Sequence, residues 1–283
     1  MIIFDMSNVF FSSVHEYNAR TNEPLDEDTF RAMILRRINS MIRTLKVGKN
    51  RKVVFAFDSR NYWRREHFPY YKSQRKVERE KSTVDWDTIF GYWNKVVEEF
   101  KTYLPYYCIM VDGAEADDIQ AALCFRHADE EDEIILVTSD EDSIQLQRTY
   151  SNVKQYSLKH KKMIDAKAVN YDLFEHIVRG DRGDGIPNII SPNDTLYNGI
   201  RQKRLLSTKV EEWKFHGIRN PEGFCDDEML ERFRLNKLMV DYDEIPMDLI
   251  EKIDQVFLNY KVPKGRLFSY LVKYQLTGLM EDY

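Results

Sequence analysis

Cysteine is scarce in this chain. The three present, Cys108, Cys124 and Cys225, form no CxxC pair. That excludes a disulfide framework, gives no support to structural zinc, and suits a reducing compartment. No apolar run approaches the length of a membrane span. No basic region precedes the apolar residues 2–4, which read as a strand, so neither a membrane segment nor a secretory leader is expected. A GxxxxGK[ST] loop is missing, which disfavours a nucleotide-fuelled motor. The histidines, His15, His67, His127, His160, His176 and His216, are scattered, and none is assigned to chemistry. Nor is there an excess of positive charge. The formal net charge is -5, so any nucleic-acid-binding surface must be local rather than global. What is present, 43% hydrophobic and 31% charged residues over 283 positions, suits a soluble globular protein of one large or two smaller domains. The expected location is the cytoplasm.

The first 150 or so residues alternate strand and helix signals. Strands are predicted at 2–4, 53–57, 107–111 and 134–138, with an edge strand at 153–156. Phe30, Met33, Ile34, Ile38, Met41, Ile42 and Leu45 share a helical face that Asp26 or Asp28 can cap. Trp86, Ile89, Phe90, Trp93, Val96, Val97, Phe100 and Leu104 mark a second amphipathic helix, and a third is expected from about Glu115 to His127. This rhythm predicts an α/β fold with a mostly parallel sheet flanked by helices. From about residue 168 helical patterns take over, at Ala168–Arg179, Asp227–Val240, Met247–Asn259 and Leu267–Leu276. The predicted division is residues 1–167 and a smaller, mainly helical region at 168–283. There is no internal repeat and no low-complexity tract.

Four of the apolar runs deliver a carboxylate at or just past their end. They lead to Asp5, to Asp58, to Glu115-Ala116-Asp117-Asp118 and to Ser139-Asp140-Glu141-Asp142. In an open parallel sheet, ligands bind outside the carboxyl ends of the strands, so these acids would converge. Packed carboxylates repel one another, and hard divalent ions bound through oxygen are the natural counter-charge. Glu115 and Asp118 share a face of an ideal helix while Asp117 points elsewhere, so spacing does not decide which aspartate is the closer ligand. Asp140 and Asp142 lie on one side of an extended segment. Two metal ions in such a site suit phosphodiester hydrolysis, which needs no catalytic histidine.

Between residues 60 and 81 the balance inverts. Arg60, Arg64, Arg65, Lys72, Arg75, Lys76, Arg79 and Lys81 face only Glu66, Glu78 and Glu80, and Tyr62, Trp63, Phe68, Tyr70 and Tyr71 are interleaved. Cations hold phosphates and aromatics stack on unpaired bases. The bland alternative is a solvated basic helix with aromatics tucked into the core. Position favours the first account, because the segment follows Asp58 directly and would project over the acids. Gly180-Asp181-Arg182-Gly183-Asp184-Gly185-Ile186-Pro187 follows an apolar helix. It reads either as a helix-ending turn or as a grip on a duplex backbone that also sends an aspartate to the metal.

In this order, Asp5, Asp58, Glu115-Ala116-Asp117-Asp118, Asp140-x-Asp142 and Gly180-Asp181-x-x-Asp184 resemble the 5′-nuclease, or flap endonuclease, superfamily. Tyr62-Trp63-Arg64-Arg65, Tyr70-Tyr71-Lys72-x-x-Arg75, Asp85-Trp86-Asp87, Asn152-Val153-Lys154-Gln155, His160-Lys161-Lys162 and Asp241-Tyr242-Asp243-x-Ile245-Pro246 bring the chain nearer to the RNase H branch found in T-even bacteriophages, which are 5′-to-3′ nucleases. The resemblance covers essentially the whole chain. It implies a PIN-like domain with a helical arch and a helical duplex-binding domain. The implied activity is removal of RNA primers and adjacent DNA from lagging-strand fragments, and cutting of 5′ flaps. It implies two Mg²⁺ ions, for which Mn²⁺ can substitute. Asp5, Asp58, Asp117 and Asp140 match the ligands of one ion. Asp142 and Asp184 match those of the second, partly through water. Glu115, Asp118 and Asp181 match acidic motif positions of less defined role. Lys72 and Arg75 match arch positions at the scissile phosphate, and Arg64, Arg65, Tyr71, Lys76 and Arg79 complete the nucleic-acid-binding set. The implied partners are RNA·DNA hybrid, branched or nicked duplex DNA, and a single-stranded-DNA-binding protein. A sliding clamp has no motif here, no membrane is involved, and a monomer is expected. Two departures stand out. Gly185 replaces a common Asn, and residues 188–194 lack a second glycine hairpin, which bears on the duplex-binding turn and its monovalent ion.

Other classes remain in view. A PIN-type endoribonuclease would cut unpaired RNA as well as hybrid, but the long C-terminal region argues against it. A non-catalytic binder of branched DNA would not need every carboxylate. A phosphatase with an aspartyl nucleophile would carry Asp-x-Asp, whereas Asp5-Met6-Ser7 does not.

Overall fold

The runs at 2–4, 53–57 and 134–137 are apolar along both faces, and that composition dictates a sheet covered on both sides. In the computed structural model, which describes all residues except 22, 47, 49, 50, 277 and 280–283, β1 (Ile2–Asp5), β2 (Val53–Phe57), β3 (Tyr107–Met110), β4 (Ile134–Val137), β5 (Val153–Ser157) and β6 (Lys162–Ile164) form one sheet in the order β3-β2-β1-β4-β5-β6. The first five strands are parallel. Register pairs Phe4 with Phe55 and Val137, and Phe55 with Cys108. The strand at 153–157 is interior rather than an edge. A short hairpin returns β6 antiparallel along it, pairing Tyr156 with Met163. β6 is three residues long with one polar side chain, Lys162, too short to show an alternation, and Lys161 turns the chain with φ +52°.

Twelve α-helices accompany the sheet among the described residues: α1 (Met6–Arg20), α2 (Glu27–Thr44), α3 (Trp63–His67), α4 (Gln74–Glu80), α5 (Trp86–Tyr103), α6 (Ala116–His127), α7 (Ile144–Thr149), α8 (Leu173–Arg179), α9 (Ser207–Lys214), α10 (Asp227–Val240), α11 (Met247–Asn259) and α12 (Leu267–Lys273). Most of the predicted helices form. The one expected at 168–179 begins later, because Asp172 caps it by accepting from Glu175 N at 3.0 Å. The last one stops at Lys273, and Gln275 beyond it has φ +55°. No helix of the described residues is long and apolar enough to cross a membrane.

Two compact units result, and neither is continuous in sequence. The first holds residues 1–59, 84–166 and 248–283, with the whole sheet. Its core joins Phe4, Phe10, Phe30, Phe55, Phe57 and Phe100 to Tyr270 and Leu271 of α12. The second holds residues 60–83 and 167–247, with a core of Phe68, Tyr71, Phe174, Ile177, Val178, Ile189, Trp213 and Phe233. The aromatics of the basic segment are therefore largely explained by packing. Phe68 and Tyr71 belong to that core and Trp63 is buried, so they are not free platforms for bases.

Candidate active site

In the first unit, the strand-end acids Asp5, Asp58 and Asp140 are each held by groups at the start of a helix. Asp5 ends β1 and caps α1, its Oδ1 accepting from Asn8 N at 2.9 Å, while its Oδ2 accepts from Thr138 Oγ1 at 3.1 Å. Thr138 Oγ1 accepts in turn from Asp140 N at 3.2 Å, and Asp140 Oδ1 accepts from Asp142 N at 2.9 Å. A chain of hydrogen bonds thus runs from β1 to the end of β4. Asp58 follows β2 and is gripped twice, by Ala116 N at 2.7 Å and by Ser7 Oγ at 2.7 Å. The first of these is an N-terminal amide of α6, where partial positive charge favours a carboxylate. Glu115 and Asp118 form a capping box on α6, with Glu115 N donating to Asp118 Oδ2 at 2.9 Å. Both are buried, whereas Asp117 on the same first turn is partly exposed.

Electrostatics ties these acids together. Burial first, and then the charges of Asp58 and Asp140, push the Asp5 carboxyl up to about 7, against the lowering effect of its bonds from Asn8 and Thr138. A cation among these oxygens would relieve that repulsion. The donors are carboxylates supported by hydroxyls, with no imidazole or thiolate in the set, which is the chemistry of a hard divalent ion. The residues present therefore fit such an ion. Ser7 and Thr138 were not singled out from sequence. Their signal was available, since each lies within two residues of a strand-end acid.

The second unit contains the other predicted positions. Asp181 shapes the glycine-rich loop, its Oδ1 accepting from Gly183 N at 2.6 Å and Asp184 N at 3.2 Å, with His176 Nε2 3.7 Å from its Oδ2. Asp184 pairs with Arg75 Nη2 at 2.5 Å and Lys72 Nζ at 3.5 Å, and accepts from Tyr71 Oη at 3.1 Å. Gly185 sits under the basic segment with φ +79°, and a Cβ there would lie 3.1 Å from Tyr70 O. A side chain at that position, Asn included, would press on that backbone. Arg64 is buried and donates from Nε to Met239 O at 2.9 Å, so the structure gives it a packing role. Arg65 and Lys76 are exposed and Arg79 is partly so.

Residues 1–173 match the family model for the 5′-3′ exonuclease N-terminal resolvase-like domain, and residues 167–283 match the model for the T4 RNase H C-terminal domain. The chain belongs to the 5′-3′ exonuclease family. As a member it is a nuclease. It is 30% identical over 284 residues to the Ribonuclease H of Enterobacteria phage T4, covering 98% of this chain and 92% of that one. It is 27% identical over 175 residues to a 5′-3′ exonuclease of Buchnera aphidicola subsp. Schizaphis graminum, covering 54% of each. Two solved structures share the fold at 18% identity, each covering 92% of this chain and 98% of the other. One is the T5 D15 protein co-crystallised with metal ions, at a TM-score of 0.67, and the other is the bacteriophage T5 D15 flap endonuclease in a pseudo-enzyme-product complex with DNA and metal ions, at 0.65.

Proposed function

We propose that this family member is a Mg²⁺-dependent 5′-to-3′ exonuclease and flap endonuclease acting on RNA·DNA and DNA duplexes, and that it removes RNA primers and adjacent DNA during phage replication. The observation that carries the reading is the Asp5–Asp58–Asp140 cluster, whose mutual repulsion calls for a bound cation. Asp5, Asp58, Asp117 and Asp140 are assigned to the first ion, and Asp142 to a second. Glu115 and Asp118 position Asp117 by capping α6. Bound divalent ions supply a nucleophile from water at neutral pH and charge stabilisation at the leaving oxygen. The chain's own part is orientation. Ser7, Asn8, Thr138 and the α6 amide fix the carboxylates, so little reorganisation is needed when charge develops. Lys72 and Arg75 are assigned to substrate phosphate, with Arg65, Lys76 and Arg79 giving sequence-independent attraction. Mn²⁺ substitutes for Mg²⁺ because the donors are all oxygen.

The test is a 5′-labelled, RNA-primed nicked duplex bearing a short flap, incubated with Mg²⁺ or with EDTA. Short 5′-labelled products that form only with Mg²⁺ are expected. Binding without cleavage under both conditions would overturn the catalytic reading.

A further inference from the structure

Within the second unit, the basic segment and the glycine-rich loop are fastened together by the groups a phosphate would need. Asp184 Oδ1 lies 2.5 Å from Arg75 Nη2, and Asp184 Oδ2 takes the Tyr71 hydroxyl at 3.1 Å with Lys72 Nζ 3.5 Å away. Main-chain bonds reinforce the contact. Lys72 N donates to Asp184 O at 2.8 Å, and Gln74 Nε2 donates to Arg182 O. Lys72 holds φ +55°, in the left-handed region that few non-glycine residues occupy. Both oxygens of one carboxylate are thus spent on a guanidinium, an ammonium and a phenol. Burial pushes the Asp184 carboxyl up, but Lys72 and Arg75 more than offset it and hold it below its usual range.

We propose that Asp184 is an internal surrogate for a substrate phosphate, holding Lys72, Arg75 and Tyr71 in phosphate-ready positions and giving them up when a phosphodiester arrives. The inference rests on the proposed role of Lys72 and Arg75 as phosphate contacts. A phosphodiester and a carboxylate each present one negative charge on two equivalent oxygens, so they fit the same donors. Two anions cannot share one pair of cations without repulsion, so the incoming phosphate displaces Asp184. Arg75 is 43% accessible, but Asp184 and Lys72 are largely shielded at 20% and 11%, so the exchange carries a cost that the strand's further phosphate contacts must offset. A lone anion gains little by the exchange. A nucleic-acid strand, which adds contacts at neighbouring phosphates, gains enough to displace it. Asp184 is on this account a positioning residue for the basic segment.

The test measures binding of a 5′-flap duplex by fluorescence anisotropy in EDTA, across a salt series. Asp184→Asn keeps the shape and removes the charge. It is expected to bind about fivefold tighter than wild type, the equivalent of one part-exposed ion pair. Its salt dependence should also be steeper, because cations freed from Asp184 attract strand phosphates directly. Lys72→Ala and Arg75→Ala should bind more weakly. Equal or weaker binding by Asp184→Asn, with Lys72→Ala and Arg75→Ala still weakened, would overturn the surrogate and leave the phosphate contacts standing. Wild-type binding by Lys72→Ala and Arg75→Ala would overturn the proposed phosphate contacts themselves. A second measurement needs no variant. A 5′-flap duplex titrated into wild type in EDTA should shift the amide resonances of residues 71–75 and 183–185, where inorganic phosphate at equal ionic strength does not. Absence of such shifts would count against displacement.

Discussion

At the scale of single residues, Asp5 combines a structural and a chemical task. It caps α1 and also meets the charges of Asp58 and Asp140. Its carboxyl is raised from 3.8 to about 7 in the folded chain. A raised folded value contributes stability that is full below the unfolded value and is lost as pH rises through the folded one. In EDTA, stability should therefore decline from about pH 4 to about pH 7 by this contribution. A divalent ion binds the charged form, so the rise in melting temperature on adding Mg²⁺ should grow across the same window. Thermal melts with Mg²⁺ or EDTA at acid and neutral pH check this, with Asp5→Asn as the variant that flattens the trend. A metal-induced rise that is the same at every pH would contradict it. Thr138 supports Asp5 and Asp140 from one hydroxyl. If Asp5 and Asp140 hold the proposed ion, Thr138→Val should lower metal affinity or rate by about 10–100-fold, the usual loss for an outer partner of a metal ligand. A Mg²⁺ titration of activity reads it. The placement of the acids was legible because each one follows an apolar run. Their supports were not, since a serine or threonine near a strand end has many ordinary uses.

At the scale of elements, the long amphipathic helices and buried strands were legible because burial writes a periodic pattern over many residues. α5 buries Trp86, Ile89, Val96, Val97 and Phe100, the stripe its spacing predicts. β6, α3 and α4 were not legible. They are three, five and seven residues long, and α4 buries none of its side chains, so no period has room to show. The basic segment misled in a specific way. Its aromatics suggested base stacking, yet Phe68 and Tyr71 fill the core beside Ile177 and Phe233, because short exposed helices need anchors. The glycine-rich loop carries an element-level prediction. Gly180 closes α8 with φ 68° and ψ -176°, and a Cβ there would fall 2.3 Å from Ile186 O. Gly180→Ala should destabilise the second unit by more than about 2 kcal/mol, since the strained backbone and the clash act together. Gly91→Ala is the contrast. That site is exposed on α5 with nothing within 4 Å of a Cβ, and alanine there should stabilise by about 0.5–1 kcal/mol. Denaturant melts of the two variants should move in opposite directions. A Gly180→Ala protein as stable as wild type would show that the loop has another way to close.

At the scale of the whole molecule, chain order and compactness answer different questions. A boundary near 167/168 follows the change from strand-and-helix to helix-rich sequence. The compact units follow contacts, and the described residues from Asp248 onward group with the sheet in the first unit. Nothing in the local pattern of α11 or α12 announces that return, because an amphipathic stripe shows that a face is buried and not against what. The physical tie is a buried cation. Arg31 on α2 is 2% exposed, pairs with Glu27, Asp28 and Glu99, and lies with its guanidinium 4.0 Å from the centre of the Tyr274 ring. Tyr270 donates its hydroxyl to the same Glu99 at 2.9 Å. A chain ending at residue 247 should therefore damage the sheet unit instead of removing a separable module. It loses Ile253, Phe257, Tyr270 and Leu271, buried side chains of a kind whose truncation costs about 2–5 kcal/mol each. It also exposes Arg31 and Glu99 on one side. Set against a net domain stability of about 5–15 kcal/mol, this loss leaves no stable sheet unit. Hydrogen exchange on the truncated protein should find the amides of β1, β2 and β4 unprotected, with metal-stimulated cleavage gone as well. Native-like protection in those strands would mean that the sheet unit closes its own core without the C-terminal helices.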